Sequence, residues 1–563
     1  MFRKHRGQPF AATLAVWFIG TWCELGIPAA TAQDSRGLYS IPLPAAGSLD
    51  MATHVDLKRS LELAGANLVA NLDPERHYLP NWDVRPAKDG TVAVNTWWPG
   101  HNLGRWWDAM SRLQEAIGYA APVQAKDAME QNLLRFYDNP DSLCLAPFDL
   151  EGVKPQFDLH SLREGLLGLN ALIQHRRNSQ AAVRGHAMSE SLMRLTTEES
   201  TWVLENCDYA RRTGLDIAKT DWGLVVGYPA NHGRLIEALV WNYEATGDSA
   251  ALRAAERFAR FHFANTVRPD GSLGKQPGNH THSYLGTLRG LLLFGELTGQ
   301  REYIDAVANT YRVTVRTRLK KSGFISHDMD KDSMGEPTSP GDAAQLALWL
   351  ATRHSYTEYF DDVERIVRAR LIPCQITAAP SLKQEKFAPL LIGAYGGMYT
   401  ASHAGKIATT DITAAVTHTL VDVYRHIAER DDNTLKINLH FDFEDADVCI
   451  VSKRATSAAV SIIPKRATNI LIRIPRWTPR QSVSLKAAGQ PIDLLMLGDY
   501  ALVPKEQGTR TIELTYSLPV TTETERTDNV DYAITWRGDE IIGISPNSDF
   551  YPFYPDAPNT EKR

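Results

Sequence analysis

A helical hairpin that recurs along the chain is the feature that most constrains its fold. From residue 278 to residue 315, apolar side chains recur at helical spacing on both sides of a Thr298-Gly299 break, which predicts two amphipathic helices joined at a glycine turn. The same design occurs earlier, where Glu244 stands in the position of Glu296, 52 residues upstream. A period of that length is typical of an array of helix pairs. The pattern therefore predicts a ring of helices with a polar site at one of its mouths.

The hydrophobic period changes near residue 430. Helical periodicity begins at about residue 51 and recurs up to that point. Leu435, Ile437 and Leu439 then alternate with polar residues, and further short runs of this kind follow. Many short strands in succession are typical of a β-sandwich. We therefore predict a mainly α chain with a C-terminal β domain, the helices over residues 51–430 and the β-sandwich with its tail over residues 431–563.

The first 32 residues have the layout of a secretory signal peptide. Three basic residues lie between positions 3 and 6, an apolar run extends from Phe10 to about Trp22, and Ala30-Thr31-Ala32 follows. The apolar run is too short to span a bilayer. We predict cleavage after Ala32, a linker over residues 33–50, and export of the mature protein to the periplasm or the extracellular space.

Charge and cysteine usage exclude several classes of function. The chain has 60 Lys and Arg against 66 Asp and Glu, a net charge of −6 at pH 7, which does not favour binding to nucleic acid or an anionic membrane. None of the cysteines after residue 32 lies in a C-x-x-C pair, so a cysteine-rich zinc site is not expected. No G-x-G-x-x-G follows a predicted strand, which disfavours a nucleotide cofactor. We predict no cofactor, no metal and no membrane span in the mature chain.

Histidines and aromatic residues mark the loops between predicted helices. A loop that contains two tryptophans leads into the helix that carries Arg105, and its aromatic faces suit either a sugar ring or packing between helices. Three histidines each stand just ahead of a predicted hairpin, where an imidazole can hold a sugar hydroxyl or serve a structural role. The candidate substrate-binding residues are Trp97, Trp98, Arg105, His160, His232, His280 and His282.

An acidic, aperiodic loop over residues 322–345 supplies the candidate catalytic carboxyls. Glu336 and Asp342 stand directly before an apolar helix, where a loop must approach the ring, although Asp342 is equally suited to be the N-cap of that helix. Asp221 and Asp411 offer further carboxyls in other loops. Glycosidic cleavage needs one carboxylic acid to protonate the leaving oxygen and a second carboxylate as base or nucleophile. We predict Glu336 as the proton donor, with Asp342 or Asp221 as its partner.

Short phrases spread through most of the chain form an ordered set. They include Asp158-Leu159-His160, the Glu-Ala-Thr-Gly-Asp block at residues 244–248, Glu296-Leu297-Thr298-Gly299, and the strand-like phrases at residues 435–439 and 472–477. In their order and spacing these phrases resemble the bacterial β-L-arabinofuranosidase-like glycoside hydrolases. The resemblance implies an (α/α)6 toroid followed by a β-sandwich, and a carbohydrate substrate.

The cysteines that this resemblance implies are absent here. Members of the family use a zinc-bound cysteine thiolate as nucleophile, with a glutamate and further cysteines as ligands of the metal. Ser339-Pro340-Gly341 stands where the nucleophile is expected, and Thr409-Thr410-Asp411 stands where a vicinal cysteine pair is expected. The chain is thus a divergent relative in which we expect no zinc–thiolate chemistry.

Three functions remain open at this point. The first is an exported glycoside hydrolase that acts on a plant or algal glycan through carboxyl groups. The second is a catalytically silent relative that binds glycan. The third is a polysaccharide lyase on the same toroid, in which His280 or Tyr284 removes a proton beside a uronate carboxylate that Arg105 or Arg163 neutralises.

Overall fold

The computed structural model describes residues 56–96, 99–145, 159–214, 226–378, 382–406, 408–431 and 433–555. Six of its helices form a closed inner ring, because each packs against the next and the last packs against the first. These inner helices are α2 (Pro99–Ile117), α4 (Leu162–Arg176), α7 (His232–Thr246), α9 (Thr281–Thr298), α11 (Thr338–His354) and α14 (Thr410–Arg425).

A second layer of helices surrounds the ring. Each outer helix packs on one or two inner helices, which confirms the predicted (α/α)6 toroid. The outer helices are α1 (Leu57–Ala70), α3 (Val123–Phe136), α5 (Ser179–Arg194), α8 (Ser249–Asn265), α10 (Arg301–Thr310) and α12 (Tyr359–Ile366), with two short helices, α6 (Asp208–Thr213) and α13 (Ala388–Leu391), between them.

The repeated Thr-Gly phrases end inner helices, as the sequence predicts. Gly247 and Gly299 follow α7 and α9 in the left-handed conformation, with φ of +72° and +70°, which glycine adopts without a steric penalty. The side chain of Asp248 then caps α8 by accepting a hydrogen bond from the amide of Ala250 at 2.9 Å. The chain therefore turns from the inner layer to the outer layer within two residues.

Enclosure by the outer layer explains the composition of the inner helices. Every residue of α9 from Thr281 to Gly295 is buried, and the same holds for α11 from Thr338 to Ala351. A helix that is buried all round must be apolar or must pair each polar group that it carries. The charged residues of the inner ring are consequently informative, since each has a specific partner or a specific purpose.

The C-terminal part of the chain consists of β-sheets. A six-stranded sheet and a five-stranded sheet bury their apolar faces, and a three-stranded antiparallel sheet follows. This confirms the predicted β-sandwich. In chain order the strands are β7 (Ala428–Arg430), β8 (Thr434–Ile437), β9 (Phe443–Glu444), β10 (Val448–Arg454), β11 (Ser457–Pro464), β12 (Asn469–Arg473), β13 (Ser484–Ala487), β14 (Gln490–Pro491), β15 (Leu495–Leu497), β16 (Tyr500–Val503), β17 (Ile512–Ser517), β18 (Val520–Thr527), β19 (Val530–Arg537) and β20 (Glu540–Ser545).

Six short strands form hairpins within the helical part: β1 (Leu72–Asp73), β2 (Leu79–Pro80), β3 (Asp83–Pro86), β4 (Val92–Asn95), β5 (Met398–Tyr399) and β6 (Ala404–Lys406). Single bridges join β3 to Thr409, next to the start of α14, and β5 to Gly335, next to the start of α11. These bridges hold the loops that lead into two inner helices.

Among the described residues, none of the helices combines the length and apolar character needed to cross a bilayer.

Candidate active site

Polar residues from all six inner helices meet at the end of the ring where those helices begin, which we call the rim. Their side chains form a closed circuit of ion pairs and hydrogen bonds, with N···O or N···N distances of 2.5–3.2 Å apart from one still shorter contact between Asp342 and His282. In order around the circuit, its members are Arg105, Glu164, Arg163, Glu237, Arg289, Asp342 and His282, which contacts Arg105 and so closes the circuit. Asp411 contacts Arg105 from outside the circuit.

Close packing of α2 against α4 places this circuit. A Cβ on Gly104 would lie 1.7 Å from the carbonyl oxygen of Glu164, so glycine is required for the two backbones to approach this closely. The approach brings Arg105 to 3.2 Å from the Glu164 carboxylate. Arg234 adds a further contact to the same carboxylate, and positive and negative groups thus alternate across the floor of the rim. Such pairing is what allows charges to be buried here.

Glu336 and Asp411 are two carboxyls at this rim, each with 8% of its surface exposed. Asp411 lies 2.7 Å from Nε of Arg105 and 3.1 Å from Nε2 of His101. Glu336 faces imidazoles instead, since its Oε2 lies 3.6 Å from His280 and 3.7 Å from His327, and its Oε1 accepts a hydrogen bond from Thr338. Asp411 is therefore paired with a guanidinium group, whereas Glu336 is not paired with any arginine among the described residues.

The two environments move the two pKa values in opposite directions. Burial raises the pKa of Glu336 to about 7, and the negative charges of Asp411 and Asp342 act in the same direction. Burial also acts on Asp411, but Arg105 and His101 outweigh it and hold its pKa below the usual range. A protonated carboxyl beside an ionised one is the arrangement that general acid–base chemistry requires.

Three histidine rings lie side by side at the rim, and two of them, His101 and His280, lie next to Asp411 and Glu336. The rings of His101 and His160 are stacked at 5.2 Å, and the ring of His280 lies 6.1 Å from that of His160. His160 donates from Nδ1 to the carbonyl of Ala230 at 2.7 Å and accepts at Nε2 from Arg234 at 2.6 Å. Burial and the charge of Arg234 hold its pKa well below the usual value, so it is a neutral imidazole. The structure therefore brings His160, His280, His282 and Arg105 together with Glu336.

His232 lies elsewhere, and the structure does not bring it into this group. It is fully buried, its ring is stacked on Phe258 of α8 at 4.6 Å, and its Nδ1 lies 3.0 Å from Nε2 of His262. Helical geometry explains the difference, because the first residue of α7 faces the outer layer while Arg234, two positions later, faces the rim. The predicted contact between His232 and substrate has no support from this position.

Asp342 is inside α11 and is not its N-cap, because the helix begins at Thr338. One carboxylate oxygen contacts His282 and the other contacts Arg289, and 4% of the residue is exposed. Both oxygens are thus engaged in the circuit. This environment suits a role of Asp342 in orienting His282 better than it suits the predicted role as catalytic partner of Glu336.

Three predicted site residues, Asp221, Trp97 and Trp98, lie outside the described residues. Of the residues predicted for a lyase, His280 and Arg105 lie at the rim, whereas Tyr284 and Arg163 are poorly placed. Tyr284 is fully buried, and burial raises the pKa of its phenol well above the usual value. Arg163 is 1% exposed and bound to two glutamates, so it is not positioned to meet a uronate carboxylate.

Sequence reasoning did not include three residues of the rim, His101, Asp411 and His327, among the predicted site residues. His101 and Arg105 are one helical turn apart on α2, a spacing that places both on one face and that was available as a signal. Asp411 was noted only as a loop carboxyl, whereas it lies in the first turn of α14. His327 stands in the acidic loop, and nothing in the local sequence distinguishes it from a solvated histidine.

His280, His327 and Glu336 also form a possible metal-ligand set. One ligand atom from each residue can be chosen so that all three atoms lie within 4.8 Å of one another. The thiolate set that the family resemblance implies does not fit, because Ser339 occupies the first cysteine position. Ser339 is fully buried, and its hydroxyl has no hydrogen-bond partner among the described residues.

Comparisons with known proteins support the fold. No family model matches the sequence, and no curated protein matches it. Among solved structures, one described as a glycoside hydrolase is similar with a TM-score of 0.53 and 11% identity, over 78% of this chain and 77% of that one. A GH127 β-arabinofuranosidase is similar with a TM-score of 0.54 and 12% identity, over 86% of this chain and 78% of that one. The chain thus shares the six-hairpin toroid of glycoside hydrolases at low sequence identity.

Proposed function

We propose that this chain is an exported glycoside hydrolase that cleaves a plant or algal glycan with two carboxyl groups and without zinc–thiolate chemistry. The fold supports the enzyme class, since the solved structures that resemble it are glycoside hydrolases. The observation that carries the proposal is the pair at the rim, where Glu336 faces imidazoles and Asp411 faces a guanidinium group.

In this mechanism Glu336 donates a proton to the leaving oxygen of the glycosidic bond. Its carboxyl is buried next to His280 and His327, an environment that favours the protonated form over the charged one. Proton donation by a positioned acid contributes roughly 10²–10⁴-fold to such reactions.

Asp411 is the second carboxyl, and it stays ionised because Arg105 and His101 compensate its charge. It acts either as the base that activates a water molecule or as the nucleophile that attacks the sugar. Asp411 takes this role in place of Asp342, because both oxygens of Asp342 are bound. Asp221, the other partner expected from sequence, lies outside the described residues and stays a prediction. NMR of the first product anomer distinguishes the inverting from the retaining course.

The remaining rim residues orient the sugar. His280, with 4% of its surface exposed, is placed to contact a hydroxyl, while His160 and His282 hold the neighbouring charged groups. The role of Trp97 and Trp98 as aromatic platforms for a sugar ring stays a prediction from the sequence. The signal-peptide layout of residues 1–32 supports export, which an N-terminal sequence of the secreted protein tests directly.

The test is a screen of the protein from Gln33 onward against arabinose-containing plant glycans and algal glycans. We expect Glu336→Gln to lower kcat by roughly 10²–10⁴-fold with sugar binding retained, because the amide keeps the shape and loses the transferable proton. His232→Phe serves as a control that alters a buried histidine outside the rim. Unchanged turnover in Glu336→Gln contradicts the proposed acid. Sugar binding without turnover by the wild-type protein favours the silent relative.

A further inference from the structure

We propose that His280, His327 and Glu336 form a binding site for a divalent transition-metal cation at the rim. Nε2 of His280 lies 3.6 Å from Oε2 of Glu336, and Nε2 of His327 lies 3.7 Å from the same oxygen. Ligands bound at about 2.0–2.1 Å to a tetrahedral zinc ion are separated by about 3.3 Å. The two nitrogen–oxygen distances therefore exceed the separation expected around zinc by a few tenths of an ångström, and one ligand atom from each residue can be chosen so that all three lie within 4.8 Å of one another.

Each of the two histidine ligands has an outer partner that orients it. Nδ1 of His280 lies 2.8 Å from the Ser283 hydroxyl, and Nδ1 of His327 lies 3.0 Å from the Asp328 carboxylate. A proton on each Nδ1 is shared with that partner, so each Nε2 presents its lone pair toward Glu336. Histidine ligands of metals are oriented in this way by a hydrogen-bond acceptor behind the ring, often a carboxylate such as that of Asp328.

The backbone around the ligands is also held in place. The amide of Thr281 donates to the carbonyl of His327 at 2.9 Å, which joins the start of α9 to the loop. The amide of His327 in turn donates to Met334 at 2.9 Å, and Gly335 pairs with Tyr399 of β5. Both imidazoles and the carboxylate thus belong to one hydrogen-bonded unit, which lowers the cost of ordering them around an ion.

The donor set selects the class of cation. Two imidazole nitrogens and one carboxylate oxygen suit zinc, cobalt or nickel, whereas calcium and magnesium prefer oxygen ligands alone. The site is distinct from the cysteine-based one that the family resemblance implies, because two of its ligands are imidazoles and none is a thiolate. Three protein ligands leave a fourth position of a tetrahedral ion for water or a sugar hydroxyl.

Cation binding has a consequence for hydrolysis that rests on the proposed function. A carboxylate oxygen that is bound to a metal ion does not carry a proton, so the cation and the acidic proton exclude each other on Glu336. We therefore expect the cation to inhibit turnover. Binding of the cation itself does not depend on any activity of the protein.

The experiment measures zinc and cobalt binding to the EDTA-treated protein by calorimetry, native mass spectrometry and the visible absorption of bound cobalt. We expect one ion per chain, with nitrogen and oxygen ligands. His327→Ala should weaken binding by at least about 100-fold, and Asp328→Asn, which leaves all three ligands in place, by about 10–100-fold. His175→Ala is the matched control, because His175 is 28% exposed beside Glu115 much as His327 is 24% exposed beside Glu336.

The outcomes separate the two proposals. Absence of zinc and cobalt binding by the folded wild-type protein, or equal affinity in His327→Ala and the wild type, overturns the cation site. Asp328→Asn keeps the test valid when His327→Ala does not fold. Binding with no turnover on any glycan leaves the cation site standing and contradicts the hydrolase. If the cation binds and does not inhibit a measurable turnover, then the cation and the acidic proton do not exclude each other on Glu336.

Discussion

Helices α2 and α14 build the same trio of charged residues twice, and the two copies differ in what lies beside them. Each member of one trio lies seven residues, or about two helical turns, from a member of the other on the same helix. In one trio α2 supplies the histidine and α14 the aspartate, and in the other trio α2 supplies the aspartate and α14 the histidine. The rim trio is His101, Arg105 and Asp411, and the inner trio is Asp108, Arg112 and His418.

The contacts within the two trios are alike. Asp108 lies 2.9 Å from Nε of Arg112 and 2.5 Å from Nδ1 of His418. In both trios burial acts to raise the pKa of the aspartate, but the arginine and histidine outweigh it and lower the pKa. An aspartate bound by arginine and histidine is therefore not by itself a mark of a catalytic site.

The neighbouring carboxyl makes the difference. Beside the inner trio lies Asp422, which accepts hydrogen bonds from Gln345 and Trp349 and lies 3.5 Å from Arg112, so its pKa is lowered despite burial. Beside the rim trio lies Glu336, which faces histidines and whose pKa is raised. Two carboxyls with opposite shifts occur at the rim, which is why chemistry is proposed there.

The largest expected effect that tests this comparison is on turnover. Asp411→Asn should lower kcat/KM by about 10³-fold, because the amide cannot act as base or nucleophile. Asp108→Asn removes the corresponding charge from the inner trio and should change kcat/KM by less than about threefold. Steady-state kinetics on the substrate identified by the screen measure both. Equal losses in the two variants would show that the rim trio has no special part in the reaction.

The next largest effect is on stability. Asp108→Ala leaves Arg112 and His418 buried without their carboxylate, and breaking such a pair costs about 3–5 kcal/mol. Urea unfolding followed by circular dichroism measures the free energy of unfolding. Val123→Ala, at a side chain that is 63% exposed, is the control and should lie within about 0.5 kcal/mol of the wild type. A comparably small effect of Asp108→Ala would mean that the inner trio is not structural.

The inner trio also predicts a pH dependence of stability. Because the folded pKa of Asp108 is below its unfolded value, its stabilising contribution is present above about pH 4 and is lost as the pH falls toward the folded pKa. Asp108→Asn does not titrate at this position. The difference in unfolding free energy between wild type and Asp108→Asn should therefore shrink between pH 6 and pH 3. A difference that stays constant or grows on acidification would contradict the lowered pKa.

The smallest effect concerns the histidine that lies outside the rim. His232→Phe should leave kcat/KM within about twofold, because the ring packs on Phe258 and His262 and has no exposed surface. Loss of the contact with His262 should cost about 1 kcal/mol, which thermal unfolding measures. His280→Phe, by contrast, should lower kcat/KM, because His280 lies beside Glu336 at the rim. A large loss of kcat/KM in His232→Phe would mean that His232 does take part in the site.

The hairpins and strands were predictable because they depend on local patterns. Thr298-Gly299 ends α9, and Leu435 and Ile437 alternate inward in β8, as periodicity indicates. Glu336 was predicted from its loop and the family resemblance, and Arg105, His160, His280 and His282 lie with it at the rim. The sequence did not distinguish Asp342 from Asp411 as the proposed partner of Glu336, since both lie in the first two turns of an inner helix and only their neighbours in the fold differ.

The sequence by itself predicted a ring of helix pairs and a β-sandwich, because hydrophobic period and turn residues act over a few residues along the chain, and the family resemblance implied that the ring is an (α/α)6 toroid. It also determined that the cysteines of a thiolate–zinc site are absent. The tertiary structure decided which charges pair. Asp411 meets Arg105, about 300 residues away in sequence, and Glu336 meets His280 and His327. Burial and charge pairing depend on that three-dimensional arrangement, and they are what separates a structural carboxylate from a proposed catalytic one.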